Sequence, residues 1–234
     1  MGPFVVTLPR QLALDLPLQA SFSREDFLVS PSNEAAYAFI ECWPAWPSRR
    51  ALLIGPSGSG KSHLAAIWSD AAGAVTLAGE ALGEENVPEL VSHEAVVIED
   101  AGCGIDERAL FHLLNLTGEA GASLLITAHE PPERWGLTLP DLISRLRAMT
   151  ALTIATPDDD LFRMLLVKLF LDRQLIVDSS LVDFLVRRIE RSFAAARQVV
   201  AVLDREGLSR GRRITRALAA ELLKEVLASP LDEE

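Results

Sequence analysis

The chain has 234 residues, enough for one ample core or for one core with a small appendage. Its 22 Lys and Arg against 33 Asp and Glu give a formal charge of −11, which argues against a protein that coats nucleic acid over its whole surface. Cys42 and Cys103 have neither metal-ligand spacing nor the density of a disulfide scaffold. Their apolar neighbours make buried thiols in a reducing cytoplasm the plain expectation.

The opening "MGPFVVTLPR" has no basic region followed by a sustained apolar run, and no stretch reaches the roughly 18 apolar residues of a membrane span. A cytoplasmic protein without membrane contact is expected. Residues 11–18, "QLALDLPL", place Leu12, Leu14, Leu16 and Leu18 at alternate positions, so an extended backbone would set them on one edge. Such an edge either packs on its own domain or enters a groove on a partner.

From residue 51 onward apolar runs alternate with helical patterns: "ALLI" (51–54), "AVTL" (74–77), "AVVIED" (95–100), "SLLITA" (123–128) and "ALTIA" (151–155). Continuous runs of this kind suit strands covered on both faces, which implies a parallel sheet flanked by helices. The helices expected between them are "KSHLAAIWSDAA", "DERALFHLLNLTGEA" and "PDLISRLRAM", with a looser segment at 84–92. Beyond "ATPDDD" only helical periodicity remains. Asp158 or Asp159 can cap "LFRMLLVKLFLDRQ", two helices follow near 179–190 and 193–206, and Thr215 can cap "RALAAELLKEVLA". The expected fold is α/β, a nucleotide-binding domain over 23–156 with a small all-α domain over 157–234.

"GPSGSGKS", residues 55–62, matches the phosphate-loop pattern and lies between an expected strand and an expected helix. The site it implies runs through Gly55, Pro56, Ser57, Gly58, Ser59, Gly60, Lys61, Ser62 and His63. Backbone N–H groups and the positive end of the following helix would surround a phosphate chain. Lys61 offers a point charge, and Ser62 a hydroxyl ligand for Mg²⁺. Such a site needs an acid at the end of a neighbouring strand, and "VVIED" offers Glu99 and Asp100 for metal and water. ADP or ATP with Mg²⁺ are therefore the expected cofactors. His93 and His112 show no pairing at ligand spacing, and neither does the His63 side chain. The four tryptophans suit the core, with Trp43 and Trp46 also near enough to the loop strand to wall a base site.

These motifs together resemble the ATPase region of the bacterial replication initiator DnaA, an AAA+ protein, and still more the Hda family of regulatory inactivators of DnaA. "FLVSPSNEAAYAF" (27–39) resembles the family's segment ahead of the phosphate loop, which packs near adenine. "SRL" (144–146) resembles its arginine-finger box and makes Arg145 a finger acting in trans. "AAARQVV" (194–200) resembles the second-sensor motif and makes Arg197 the residue that reaches the nucleotide from the lid. His129 aligns at the first-sensor position, where the initiator carries a small polar or acidic residue, and Glu99 stands where the initiator has an aspartate. The His129 departure implies weak intrinsic hydrolysis, and the Glu99 departure leaves the division of metal and water duties open. The DnaA pattern continues into a DNA-reading helix-turn-helix, whereas this sequence stops at Glu234, so an initiator that reads origins by itself is not expected.

The resemblance also implies partners. Gln11, Leu12, Leu14 and Leu16 match the family's motif for the sliding clamp of DNA polymerase III, making 1–22 a clamp-binding segment that reaches DNA indirectly, through the clamp. DnaA itself is the second implied partner, and a homodimer stays open. The implied function is negative regulation of replication initiation, by promoting hydrolysis of DnaA-bound ATP. A helicase-loader-like adaptor and a stand-alone ATPase or kinase are the rivals. Nine arginines against three acids between 187 and 216 suit either a solvated face or a contact with nucleotide, partner or DNA.

Overall fold

The computed structural model of the chain describes residues 22–228. They fall into two compact units, one running to Leu161 and the other starting at Phe162. The proposed clamp motif, Gln11 to Leu16, lies outside the described residues.

The first unit carries five parallel strands, β1 (Arg50–Ile54), β2 (Val75–Ala78), β3 (Ala95–Ala101), β4 (Ser123–Ala128) and β5 (Thr150–Thr153), in the order β2-β3-β4-β1-β5. All five fall on the apolar runs read from sequence, within two residues at their ends. The reason is burial: residues 95–98 and the whole of β4 are inaccessible, so apolar side chains serve both faces. Leu52, Val96, Ile98, Leu124 and Ile126 join one core cluster with Leu110, Leu113, Leu142 and Leu146. These come from α4 (Glu107–Ala120) and α5 (Pro140–Arg147), which cover that face with the short α3 (Val87–Val91). The alternate residues Ala51, Leu53, Val97 and Leu125 join the other cluster, covered by α1 (Glu34–Glu41) and α2 (Lys61–Ala72). Helix–sheet–helix layering follows directly from the pleat.

Trp68 is fully buried in that second cluster, stacked on Trp46 with ring centroids 5.1 Å apart. Trp46 stacks in turn on Phe39 and donates its indole N–H to the Phe39 carbonyl. Trp46 is thus a core residue rather than a wall for a base. The cysteines depart from expectation: both are free thiols but both are exposed. Cys42 forms the C-cap of α1, two residues past the buried Ile40, and Cys103 sits in the turn after β3 between Gly102 and Gly104. Apolar sequence neighbours do not bury a residue on the outer side of a cap or turn.

Loop 138–139 before α5 is fixed by Glu107, whose carboxylate accepts hydrogen bonds from the Thr138 and Leu139 N–H groups. These bonds hold the Glu107 carboxyl below the usual glutamate range, the Leu139 bond most of all.

The second unit holds α6 (Asp159–Asp172), most of which lies in it, and α7 (Ser179–Val186), α8 (Phe193–Arg210) and α9 (Arg216–Ala228). Asp158 accepts from the Leu161 N–H at 2.7 Å and Thr215 from the Leu218 N–H at 3.3 Å, the caps expected at those starts. Several of the nine arginines meet different neighbours. Arg188 and Arg216 lie over the Phe184 ring, Arg210 pairs with Glu206 and Glu221, and Arg212 and Arg213 line a groove with Ile176 and Leu208. Among the described residues no helix is long and apolar enough to cross a membrane.

Candidate functional site

In a parallel sheet the ends of neighbouring strands lie along one edge, the usual place for a ligand in open α/β sheets. Here β4 lies between β1 and β3. That order brings three segments together: the phosphate loop after β1, His129 after β4, and the carboxylates at the end of β3.

The loop leaves β1 at Gly55, whose N–H donates to the Ala128 carbonyl at 3.1 Å. A Cβ on Gly55 would stand 2.5 Å from the Ile154 carbonyl oxygen and 2.8 Å from Ser59 Oγ. Gly55→Ala is therefore expected to destabilise the chain by roughly 1–3 kcal/mol through overpacking, read as a lower denaturation midpoint. Gly58 (φ 67°) and Gly60 (φ 102°) take left-handed backbone conformations that turn the chain into α2. Ser59 Oγ is buried inside the curl and has no hydrogen-bond partner, which marks it as a hydroxyl suited to an incoming acceptor.

Lys61 starts α2 and is 4% exposed. Its Nζ donates to the Gly55 carbonyl at 2.8 Å and the Pro56 carbonyl at 3.0 Å. Burial lowers its pKa, while Asp100 and Glu99 pull it back up. Ser62 and Lys61 lie close enough to the Glu99 carboxylate to favour its ionised form, against burial and the Asp100 charge, which disfavour it more. This gathers Lys61, Ser62 and Glu99 at one place.

The two acids are separated by a bulge. Ile98 pairs with Ile126 and Ala101 with Ala128, so Glu99 and Asp100 together oppose Thr127. Thr127 is fully buried, and its Oγ1 accepts the Asp100 N–H at 2.9 Å. Asp100 takes φ +53°, an uncommon value that Asp tolerates better than most residues. The extra residue lets consecutive carboxylates serve different neighbours. Glu99 meets Ser62, while Asp100 Oδ1 lies 3.4 Å from His129 Nε2, both of those side chains being about half exposed. The bulge and Thr127 carry no simple sequence signal, since strand periodicity breaks only at the acids themselves.

Burial, followed by the Asp100 charge, raises the Glu99 pKa above the usual glutamate range. The folded chain therefore holds this proton more tightly than the unfolded chain, and ionised Glu99 subtracts stability as pH rises through that raised value. Glu99→Gln should raise the unfolding temperature at neutral pH. The gain should vanish below the ordinary glutamate range, where both states are protonated; thermal unfolding against pH checks this.

The His63 side chain is structural. Its Nε2 is 2.8 Å from the Ser23 carbonyl oxygen, and Phe22 and Phe27 meet its ring edge to face. His93 and His112 are exposed. Phe27 stacks on Tyr37, and the Ala155 N–H donates to the Ser32 carbonyl, which fastens the 27–39 segment beside the loop.

Arg145 is not part of this group. It is exposed and lines a cleft with Arg49 and Arg50, the latter being the first residue of β1. The phosphate loop leaves the other end of β1, about 13 Å away at the usual rise per residue. Its guanidinium lies 5.3 Å from the Phe111 ring centroid. Arg197 lies half-buried on α8, in the helical unit.

The residues present fit a nucleotide polyphosphate with Mg²⁺. Gly55 leaves a cradle that a Cβ would fill, Ser59 offers an unused hydroxyl, and Ser62, Glu99 and Asp100 offer hard oxygen donors. No group of three or more His, Cys, Asp or Glu converges among the described residues.

No family model matches the chain. Among solved structures it is similar to domain III of the Thermotoga maritima replication initiation protein DnaA, with 18% identity, a TM-score of 0.77, and 91% of this chain and 100% of that one covered. AMPPCP-bound DnaA from Aquifex aeolicus matches with 16% identity and a TM-score of 0.74, over 89% of this chain and 71% of that one. The Thermotoga maritima RuvB Holliday junction branch migration motor matches with 15% identity and a TM-score of 0.70, over 87% and 71%. The chain thus shares the fold of DnaA domain III.

Proposed function

We propose that the chain is an Hda-type regulator of replication initiation, which binds adenine nucleotide at its phosphate loop and promotes hydrolysis of ATP held by DnaA. The observation that carries this reading is the placement of Arg145. It is exposed, it lies at the sheet edge opposite its own phosphate loop, and no carboxylate pairs with it among the described residues. A guanidinium so placed is poor for its own nucleotide and well presented to a neighbour's.

Within the chain, Lys61 would exchange the Gly55 and Pro56 carbonyls for phosphate oxygens, and Ser62 would offer its hydroxyl to the metal. Mg²⁺, when bound, neutralises charge on the phosphates. Glu99 and Asp100 would hold the metal's water shell, with His129, 3.4 Å from Asp100, orienting that carboxylate. Arg197 keeps, within this proposal, the second-sensor role that its motif implies. In DnaA, water attacks the γ-phosphorus and ADP leaves, while Arg145 neutralises charge on the transferring group.

Recruitment runs through Gln11, Leu12, Leu14 and Leu16 to the sliding clamp, so that DNA is met through the clamp, in the cytoplasm. Burying a leucine is worth about 1.5–3 kcal/mol and ordering backbone costs about 1–2 kcal/mol per residue, so the grip should be reversible. Capture by DNA-loaded clamp, by DnaA and by replicative helicase in parallel tests the reading. Gln11→Ala is expected to abolish retention on clamp. Retention by helicase alone would sink the regulator in favour of the adaptor.

A further inference from the structure

The cleft around Arg145 has a volume of about 340 Å³ and is lined by Arg49, Arg50 and Arg145 with the ends of α4 and α5, and no acid lines it. Acids outnumber bases in this chain by 33 to 22. Even so, no carboxylate pairs with these three arginines among the described residues.

Arg50 is the more telling member. Its guanidinium donates to the Leu114 carbonyl and occupies the space beside Gly118, so that a Cβ on Gly118 would collide with it. A glycine within a helix forfeits helix stability, and here the space it leaves seats a cation. Burial, and secondarily the charge of Arg145, push the Arg50 pKa down. Two guanidinium groups that repel each other across a carboxylate-free cleft are an arrangement an anion relieves. Helix C-termini favour nearby cations, which accounts for one arginine here but not for a mutually repelling set.

We propose that Arg50 and Arg145 form a single oxyanion site that takes a phosphate or pyrophosphate group, with Arg50 as its fixed floor and Arg145 as its exposed arm. A tetrahedral oxyanion offers enough acceptors to bridge both forks, which suits two arginines better than the two oxygens of a carboxylate do. The cleft volume falls at the low end of small-molecule sites, leaving room for a phosphoryl group and part of what carries it. The group comes either free in solution or on a nucleotide held by a neighbouring AAA+ subunit. Only the second source rests on the regulator reading above.

The test is pyrophosphate titration by calorimetry of the Lys61→Met chain, in which the phosphate loop has lost its cation. Binding in the millimolar range or tighter is expected, weakened about tenfold or more by Arg145→Met, by Arg50→Met and by Gly118→Ala, as loss of a charge-assisted hydrogen bond implies. No pyrophosphate binding, or equal binding in all four proteins, overturns the site. A merely structural Arg50 would lower the unfolding temperature in Arg50→Met without moving pyrophosphate affinity, which also overturns it. Should Arg50→Met fail to fold, Arg145→Met and Gly118→Ala decide. A second arm finds the source: with Lys61 intact and ATP-loaded DnaA added, Arg50→Met cuts stimulated hydrolysis about tenfold if the phosphate is the neighbour's. Unchanged stimulation assigns the site to free phosphate. If the unaltered chain stimulates nothing, the regulator reading fails while the titration still stands.

Discussion

Arg145→Ala is expected to reduce the proposed stimulation of ATP hydrolysis in DnaA by about 10³-fold or more, the usual worth of a guanidinium supplied to a phosphoryl transfer. The size of the effect follows from what the residue does not do. Arg145 is exposed, lies over the Phe111 ring and repels Arg50, so its removal should leave the fold within about 0.5 kcal/mol. It also stands at the opposite end of β1 from the phosphate loop, so the chain's own nucleotide affinity should not follow the loss. Stimulated hydrolysis and nucleotide binding, measured on the same preparation, separate a finger in trans from a general defect.

Lys61→Met should act on the other property, lowering nucleotide affinity about 100-fold. Hydrogen bonds to charged groups contribute about 1.5–3 kcal/mol each. Lys61 already satisfies two carbonyls, so only the surplus of phosphate over carbonyl partners is lost, about 3 kcal/mol for two bonds. Methionine keeps the apolar stem and removes a buried charge. The unfolding temperature without nucleotide should therefore hold or rise, while the rise produced by added ATP should disappear. An unchanged rise with ATP in Lys61→Met would refute the assignment of the loop.

Much of this site was legible in the sequence, for a physical reason. Strands buried on both faces must be apolar throughout, and a phosphate loop needs glycine at set positions, so 51–62 could be read as strand, loop and helix at once. The acids ending β3 were visible too, but not the bulge that separates their duties. That bulge depends on Thr127, 27 residues further along the chain, accepting the Asp100 N–H. Arg50 was invisible for a similar reason: its meaning lies in Leu114, Gly118 and Arg145, which only the packing of α4 and α5 beside β1 brings near it. His63 fits the loop pattern by position, yet its ring is committed to Ser23, Phe22 and Phe27. The cysteines misled because apolar neighbours in sequence were taken for burial in space.

The proposed regulator would accelerate hydrolysis in another protein's site. Its most direct test is a single turnover of DnaA preloaded with labelled ATP, mixed with the chain and DNA-loaded clamp. Conversion to ADP is expected to be fast with all three present, slow without the clamp, and at the basal rate with Arg145→Ala. Conversion at the basal rate with the unaltered chain, or acceleration that Arg145→Ala leaves intact, would contradict the proposal.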